Sequence, residues 1–282
     1  MAGSEFKLSP QQVFQSLRSP KFRYNQTIVS VLGYGDNKRI RVVTMGCLRV
    51  AGVEDDTEER PAKGTVNEEK LAVNISRTKR TIYELAFCNP WDWFFTATLD
   101  PKKYDRTDLQ KFHKDLTQFF RDQRKKYGIS IDFLMIPEKH SDGVTWHMHG
   151  FLRGVPVERL RRFKLGDKMG KALAEKVRNG EEVYNWLDYS SKFGFCDLEP
   201  IRNHEAVSKY VTKYISKELA NSVTELNAHQ YYCSRGLKRA EVIKKGSMAG
   251  TIEPDYVGEY CSVTTLPFSP ERLQEICDSF VD

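Results

Sequence analysis

Trp146-His147-Met148-His149-Gly150 carries two imidazoles one residue apart. On an extended strand, residues i and i+2 project from one face, so His147 and His149 stand side by side, placed to grip a divalent metal. Downstream runs Tyr210-Val-Thr-Lys213-Tyr214-Ile-Ser-Lys217. On a helix, residues four apart share a face, so both phenols point the same way with Lys213 and Lys217 beside them. A metal and a tyrosine together suggest covalent chemistry on a phosphodiester. A free phenol ionises only near pH 10, so it needs a polarised phosphorus and nearby positive charge to act at neutral pH. Its attack stores the bond energy as a phosphotyrosine and releases a DNA 3′-hydroxyl. A later attack by another 3′-hydroxyl reseals the strand without ATP, and two tyrosines allow two such transfers.

Glu138 falls near the end of the strand before the histidines, with a short turn between. If a hairpin forms there, its carboxylate comes close to both imidazoles, and two His with one carboxylate can hold Mg²⁺, Mn²⁺ or Zn²⁺. His140, two residues beyond Glu138, is a competing ligand. Each motif also has a plain explanation: strand histidines bonded to backbone, and an amphipathic helix with packed tyrosines and solvated lysines. Thr96 and Thr98 either orient the metal site or are simply β-formers. Gly166-Asp-Lys-Met-Gly170-Lys171 is one residue short of a phosphate loop and lacks its Ser/Thr. Arg121/Arg124/Lys125/Lys126 and Arg159/Arg161/Arg162 either track a DNA backbone or are solvated helix faces.

These residues must be positioned by a folded scaffold. Residues 25–50 alternate around Gly33-Tyr34-Gly35-Asp36-Asn37, the pattern of a β-hairpin. Residues 51–66 form an acidic, then Pro/Gly-rich loop. Apolar spacing predicts a helix over 67–87, ended by Cys88-Asn89-Pro90, and another over 107–127, stopped by Gly128. A buried strand occupies 93–99. Strands at 130–138 and 144–153 flank Ser141-Asp142-Gly143, an antiparallel hairpin signal. A helical stretch at 156–178, a strand at 193–200, the tyrosine helix at 204–220, a strand at 229–234, an ambiguous stretch to 268 and a last helix after Ser269-Pro270 complete the chain. Hairpin-paired strands with helices packed on them give an α+β class built on an antiparallel sheet with flanking helices.

The 282 residues fit one large domain or one domain plus an attachment, and 40% hydrophobic residues suffice for a core. A net charge of +6 leans mildly towards a polyanionic partner. Six scattered cysteines without a C-x-x-C pair read as reduced thiols of a cytoplasmic protein. There is no signal peptide and no apolar run long enough for a bilayer, so no membrane partner is expected.

Phe94-Phe95-Thr96-Ala97-Thr98-Leu99, Trp146-His147-Met148-His149-Gly150 and the Tyr210–Lys217 segment resemble, in this order, the three motifs of HUH endonucleases that initiate rolling-circle replication. The last resembles the two-tyrosine form of single-stranded DNA phage initiators, and Ile136-Pro137-Glu138-Lys139-His140 has the flavour of phage and plasmid replication proteins of bacteria. The likeness covers about residues 80–240. It implies a five-stranded, RRM-like antiparallel sheet with the His pair on a central strand and the tyrosine helix beside it. It implies Mg²⁺ or Mn²⁺ held by His147, His149 and Glu138, and single-stranded origin DNA, often on a hairpin, as substrate. With no phosphate loop for a fused helicase, strand separation falls to a host helicase, with a single-strand-binding protein, in the bacterial cytoplasm. The expected organisation is an N-terminal extension with a β-hairpin at 1–75, a catalytic domain at 76–240 and a C-terminal extension at 241–282. Tyr214, between Lys213 and Ile-Ser-Lys217, resembles the single tyrosine of plasmid initiators and is the expected principal nucleophile, with Tyr210 its partner; the opposite order stays open. A mobilisation relaxase or transposase of the same fold is the runner-up, but relaxases place the tyrosine near the N-terminus and carry three histidines. A DNA-binding regulator without catalysis and a hydrolase using water are rivals from other classes.

Overall fold

The computed structural model describes residues 27–45, 68–216, 219–220, 229–250, 252–258 and 261–281. Lys217, Cys47 and the expected loop at 51–66 lie outside the described residues. The chain divides into two compact units, Pro61–Lys238 and the two ends together, Met1–Arg60 with Arg239–Asp282.

In the unit of the two ends, β1 (Thr27–Leu32) and β2 (Arg39–Met45) form the hairpin that the Gly33–Asn37 turn predicts. In the other unit, helix α1 spans Glu68–Phe87 and leads to β3 (Trp93–Thr98) and helix α2 (Leu109–Tyr127). Strands β4 (Asp132–Lys139) and β5 (Trp146–Arg153) follow as a hairpin. Next come β6 (Leu160–Arg162), α3 (Lys171–Arg178), β7 (Tyr184–Trp186), α4 (Leu187–Lys192), β8 (Cys196–Pro200), α5 (His204–Tyr210) and β9 (Tyr232–Cys233). The chain closes with β10 (Glu241–Met248), β11 (Tyr256–Val257), β12 (Cys261–Pro267), α6 (Pro270–Asp278) and β13 (Phe280–Val281).

The chain therefore builds an α+β fold on two antiparallel sheets. The terminal sheet runs β11-β12-β2-β1-β10-β13. Val29, Ile40 and Val42 pack there with Leu273 and Ile276 of α6, whose start Ser269 caps by accepting from the Arg272 N–H. The sheet of the Pro61–Lys238 unit runs β6-β7-β8-β3-β5-β4-β9, seven strands where the family resemblance implied five. The histidine strand β5 is interior, between β3 and β4. No described helix is long and apolar enough to cross a membrane.

Alternation sorts the two faces of the larger sheet. Trp93, Phe95 and Ala97 of β3, Trp146 and Met148 of β5 and Phe133 and Met135 of β4 are buried, and Phe112, Leu116, Phe119 and Phe120 of α2 join the same core. Asp108 caps α2 by accepting from the Lys111 N–H, and Gly128 ends it at φ +66°. On the opposite face Leu134 and Ile136 lie under a second apolar layer that includes Ile82 and Leu85 of α1 with Val211 and Ile215. The Asn89 side chain pins the end of α1 by donating to the Leu85 and Lys238 carbonyls and accepting from the Lys238 N–H.

Gly150, the last residue of the histidine motif, has a steric reason. A Cβ there would stand 1.8 Å from the Leu134 carbonyl oxygen of the neighbouring strand. Gly150→Ala is expected to destabilise the unit by at least about 3 kcal/mol, the upper end of ordinary overpacking, read as a lower urea unfolding midpoint.

Two helical expectations need correction. Residues 156–178 are not one helix: Leu160–Arg162 pair with Tyr184–Trp186 as strands, and only Lys171–Arg178 are α-helical. The tyrosine helix 204–220 is also broken. It is α-helical over His204–Tyr210 and tightens to a 3₁₀ turn over Val211–Tyr214. The Thr212 hydroxyl there donates to the Lys209 carbonyl at 2.7 Å, one of the local bonds by which Ser and Thr loosen a helix.

Candidate active site

Strand register collects the polar residues on one face. Thr96 of β3 stands opposite His149 on β5 and opposite Asp197 on β8. Two residues along, Thr98 is opposite His147, which is itself opposite Glu138 on β4. The Asp142 carboxylate stabilises the hairpin turn by accepting from the Val144 and Thr145 N–H groups and the Thr145 hydroxyl.

The Nε2 atoms of His147 and His149 lie 2.9 and 3.0 Å from one oxygen, Oε2 of Glu138. Two ring nitrogens converging on a carboxylate need positive charge, either as protons on the nitrogens or as a cation among them. Among the described residues, these three form the group whose ligand atoms all lie within 4.8 Å of one another. Two imidazoles and one carboxylate fit Mg²⁺, Mn²⁺ or Zn²⁺ and leave coordination positions open. Burial pushes the Glu138 carboxyl up, but bonds from His147 and His149 prevail and hold its pKa at about 2. Burial lowers the His149 pKa, with the Glu138 bond opposing, which favours the neutral, ligating imidazole. His140, the competing ligand, lies edge-on to His147 with ring centroids 4.1 Å apart, outside that group. Its pKa falls to about 4, through burial first and then the neighbouring His147. His140 Nε2 and His147 Nδ1 are both buried without a hydrogen-bond partner.

The tyrosine segment lies directly over this group. The Tyr214 ring stacks on His149 with centroids 4.5 Å apart and planes 11° from parallel. Phe94 packs against both phenols and against His149. Despite the helix break the hydroxyls meet: Tyr214 Oη donates to Tyr210 Oη at 3.4 Å. Lys213 Nζ donates to Tyr210 Oη and lies over its ring. The two phenols are unequal. Tyr210 is 47% exposed and Tyr214 only 8%. Burial raises the Tyr210 pKa, but bonds from Lys213 and Tyr214 outweigh it and the net shift is downward. The Tyr214 pKa is raised, by burial first, then by its bond to Tyr210 and by the Tyr210, Glu138 and Asp197 charges.

Sequence reading passed over Asp197, Glu199 and Lys176. Lys176 of α3 donates to both Glu199 carboxylate oxygens at 2.7 Å, and its charge helps lower the Tyr210 pKa. The available signal was period-two alternation in Cys-Asp-Leu-Glu-Pro, which puts both acids on one strand face. Nothing local shows that this face continues that of the histidines. Thr96 is more than a β-former, since its Oγ1 lies 3.3 Å from His149 Nδ1. The basic run Arg159/Arg161/Arg162 is committed internally, to Asp188, Asp167 and Glu182 respectively.

Burial, then the Glu199 charge, lifts the Asp197 carboxyl from the usual 3.8 to about 6, against a bond from the Thr96 hydroxyl. The folded protein thus holds this proton more tightly than the unfolded chain, and stability falls as pH rises through the window between those two values. Asp197→Asn removes the titration. Its melting temperature, measured with a chelator present, is expected to rise relative to the parent at pH about 8 and to match it at pH about 4.

An α+β domain with a two-histidine, one-carboxylate group beneath a tyrosine pair is a candidate metal-dependent phosphoryl-transfer site. Residues 92–219 match the model of a family described as replication-associated proteins of the ORF2 and gene-2-protein type. The matched stretch holds all three motif segments and makes this domain similar to replication-associated proteins. No curated protein and no solved structure matches the chain.

Proposed function

We propose that this chain initiates rolling-circle replication by nicking and rejoining single-stranded origin DNA through a covalent 5′-phosphotyrosine. The observation that carries this reading is the stacking of Tyr214 on His149, with Tyr210 hydrogen-bonded to Tyr214. It sets two phenol oxygens beside a group suited to a divalent ion. His147, His149 and Glu138 hold Mg²⁺ or Mn²⁺; when bound, the ion polarises the scissile phosphate and stabilises charge on the leaving oxygen. A tyrosine Oη forms a bond to phosphorus, the P–O3′ bond breaks, the phenol proton passes to solvent and the freed 3′-oxygen takes one up. The reverse step, with a different 3′-hydroxyl, rejoins a strand.

Sequence resemblance pointed to Tyr214 as the principal nucleophile. The electrostatics favour Tyr210 for the first transfer, because it is the more exposed phenol and the Lys213 ammonium contacts its oxygen. Tyr214 then serves the second transfer, once the first phenol is esterified and its hydrogen bond is gone. Lys217 is a further phosphate contact in this reading. Separation of the duplex and protection of the displaced strand fall to a host helicase and a single-strand-binding protein in the bacterial cytoplasm.

The test is incubation with single-stranded origin DNA and Mn²⁺, a denaturing gel, and mass mapping of the modified residue. An adduct on Tyr210 or Tyr214 supports the reading. Cleavage without an adduct assigns the attack to water and overturns it.

A further inference from the structure

The mechanism above leaves unexplained a carboxylate sunk beside the site on a strand that supplies no ligand. Asp197 and His149 flank the same residue of β3: in register, Thr96 pairs with Asp197 on one side and with His149 on the other. We propose that Asp197 and Thr96 form a positioning relay that presents His149 Nε2, and not Nδ1, to the metal. The inference rests on the metal-dependent reading of the site.

The argument is one of hydrogen-bond directions. A hydroxyl has one proton to donate and lone pairs that accept. The Thr96 hydroxyl bonds the Asp197 carboxyl group. That group keeps an accepting oxygen whether or not it is protonated, so it takes the Thr96 proton. Oγ1 is then left as an acceptor, and the atom 3.3 Å from it is His149 Nδ1. An imidazole whose proton sits on Nδ1 carries its lone pair on Nε2, the atom 3.0 Å from Glu138 Oε2. Outer partners that fix a ligand's tautomer in this way are worth about 10- to 100-fold in metal affinity. The other imidazole has no equivalent, because His147 Nδ1 is buried without a hydrogen-bond partner. The relay therefore makes His149 the preorganised ligand of the pair. A carboxylate in this place is also costly, since burial works against its charged form. Leu or Val on β8 would pack there without that cost, so the acid is better explained by what it holds than by what it stabilises.

Calorimetric titration with Mn²⁺ alone, without DNA, tests the relay. Thr96→Val keeps the shape and removes the hydroxyl; Asp197→Leu keeps the size and removes the acceptor. Each is expected to weaken Mn²⁺ binding by about tenfold or more. Thr96→Ser, which restores the hydroxyl but lacks the methyl group, is expected to bind close to the parent. In the Mg²⁺-loaded protein, nuclear magnetic resonance should show a solvent-protected Nδ1 proton on His149 that Thr96→Val exposes to exchange. If Asp197→Leu fails to fold, the Val and Ser pair decides alone. Equal Mn²⁺ affinity in Thr96→Val and Thr96→Ser overturns the relay, as does a parent protein that binds no Mn²⁺. A parent that binds Mn²⁺ with the expected Val and Ser difference but forms no tyrosine adduct leaves the relay standing and removes the nicking reading instead.

Discussion

With Tyr210 and Tyr214 both changed to Phe, the covalent protein–DNA adduct is expected to disappear while single-stranded DNA binding stays near that of the parent. The adduct should drop on the order of 10³-fold or more, because removing a nucleophile leaves only the background contributions of binding and charge stabilisation. Binding should survive because phenylalanine keeps both rings and their contacts with Phe94 and His149. The single variants carry more information than the double one. Tyr210→Phe removes the phenol that Lys213 contacts and that is 47% exposed, so first-round cleavage should fall nearly as far as in the double variant. Tyr214→Phe keeps that phenol, so a first adduct should form while transfer to a second strand fails. The mirror-image pattern would put Tyr214 first, as the sequence resemblance suggested. An adduct that survives in the double variant would place the nucleophile elsewhere. Quantitative gels of single-turnover reactions, with the modified residue mapped by mass, separate these outcomes.

The second large effect belongs to His147. His147→Ala is expected to weaken Mn²⁺ binding by at least about 100-fold, beyond the usual loss of an outer partner, and to lower nicking by a similar factor. Two costs combine. The variant loses one of three ligand atoms, and it loses one of the two imidazole bonds that hold the Glu138 pKa at about 2. The remaining carboxylate is half-buried with less compensation, so its pKa moves up and protons compete for it more strongly. Excess Mn²⁺ should therefore restore nicking only in part. Calorimetry for the metal and single-turnover kinetics for nicking provide the two readouts; parent-like values in both would remove His147 from the ligand set.

The two effects differ in what they leave behind, and that difference bears on the rival classes. A regulator that had lost catalysis would lose DNA binding, or nothing, when the tyrosines change. A hydrolase using water would keep cleaving in the double phenylalanine variant and stop in His147→Ala. Only covalent transfer makes both substitutions silence the adduct.

Much of the site was readable from local pattern, because the period of a strand or helix is itself local. His-x-His on a β-run places two imidazoles on one face, and Ser141-Asp142-Gly143 turns the chain so that Glu138 pairs with His147. Apolar spacing marked α1 and α2 to within two residues of their observed starts. Other features depend on contacts that no window of sequence contains. Helical spacing over 156–178 was overridden at Leu160–Arg162 because those residues find Tyr184–Trp186 as strand partners. The helix expected over 204–220 breaks where Val211 and Ile215 are drawn into the core. The inequality of Tyr210 and Tyr214 has the same origin. Two identical side chains in a repeated Tyr-Lys setting acquire opposite pKa shifts because one lies on His149 and the other reaches solvent beside Lys213. Asp197 is the clearest case. Its letter and spacing say only that an acid sits on a strand, and its proximity to the histidines follows from β8 and β5 flanking β3. Which residues can ligate, attack or turn is written in side-chain chemistry and short-range periodicity. Which of them share a cavity, and in which protonation state, follows from long-range strand order and burial, which exist only once distant segments have paired.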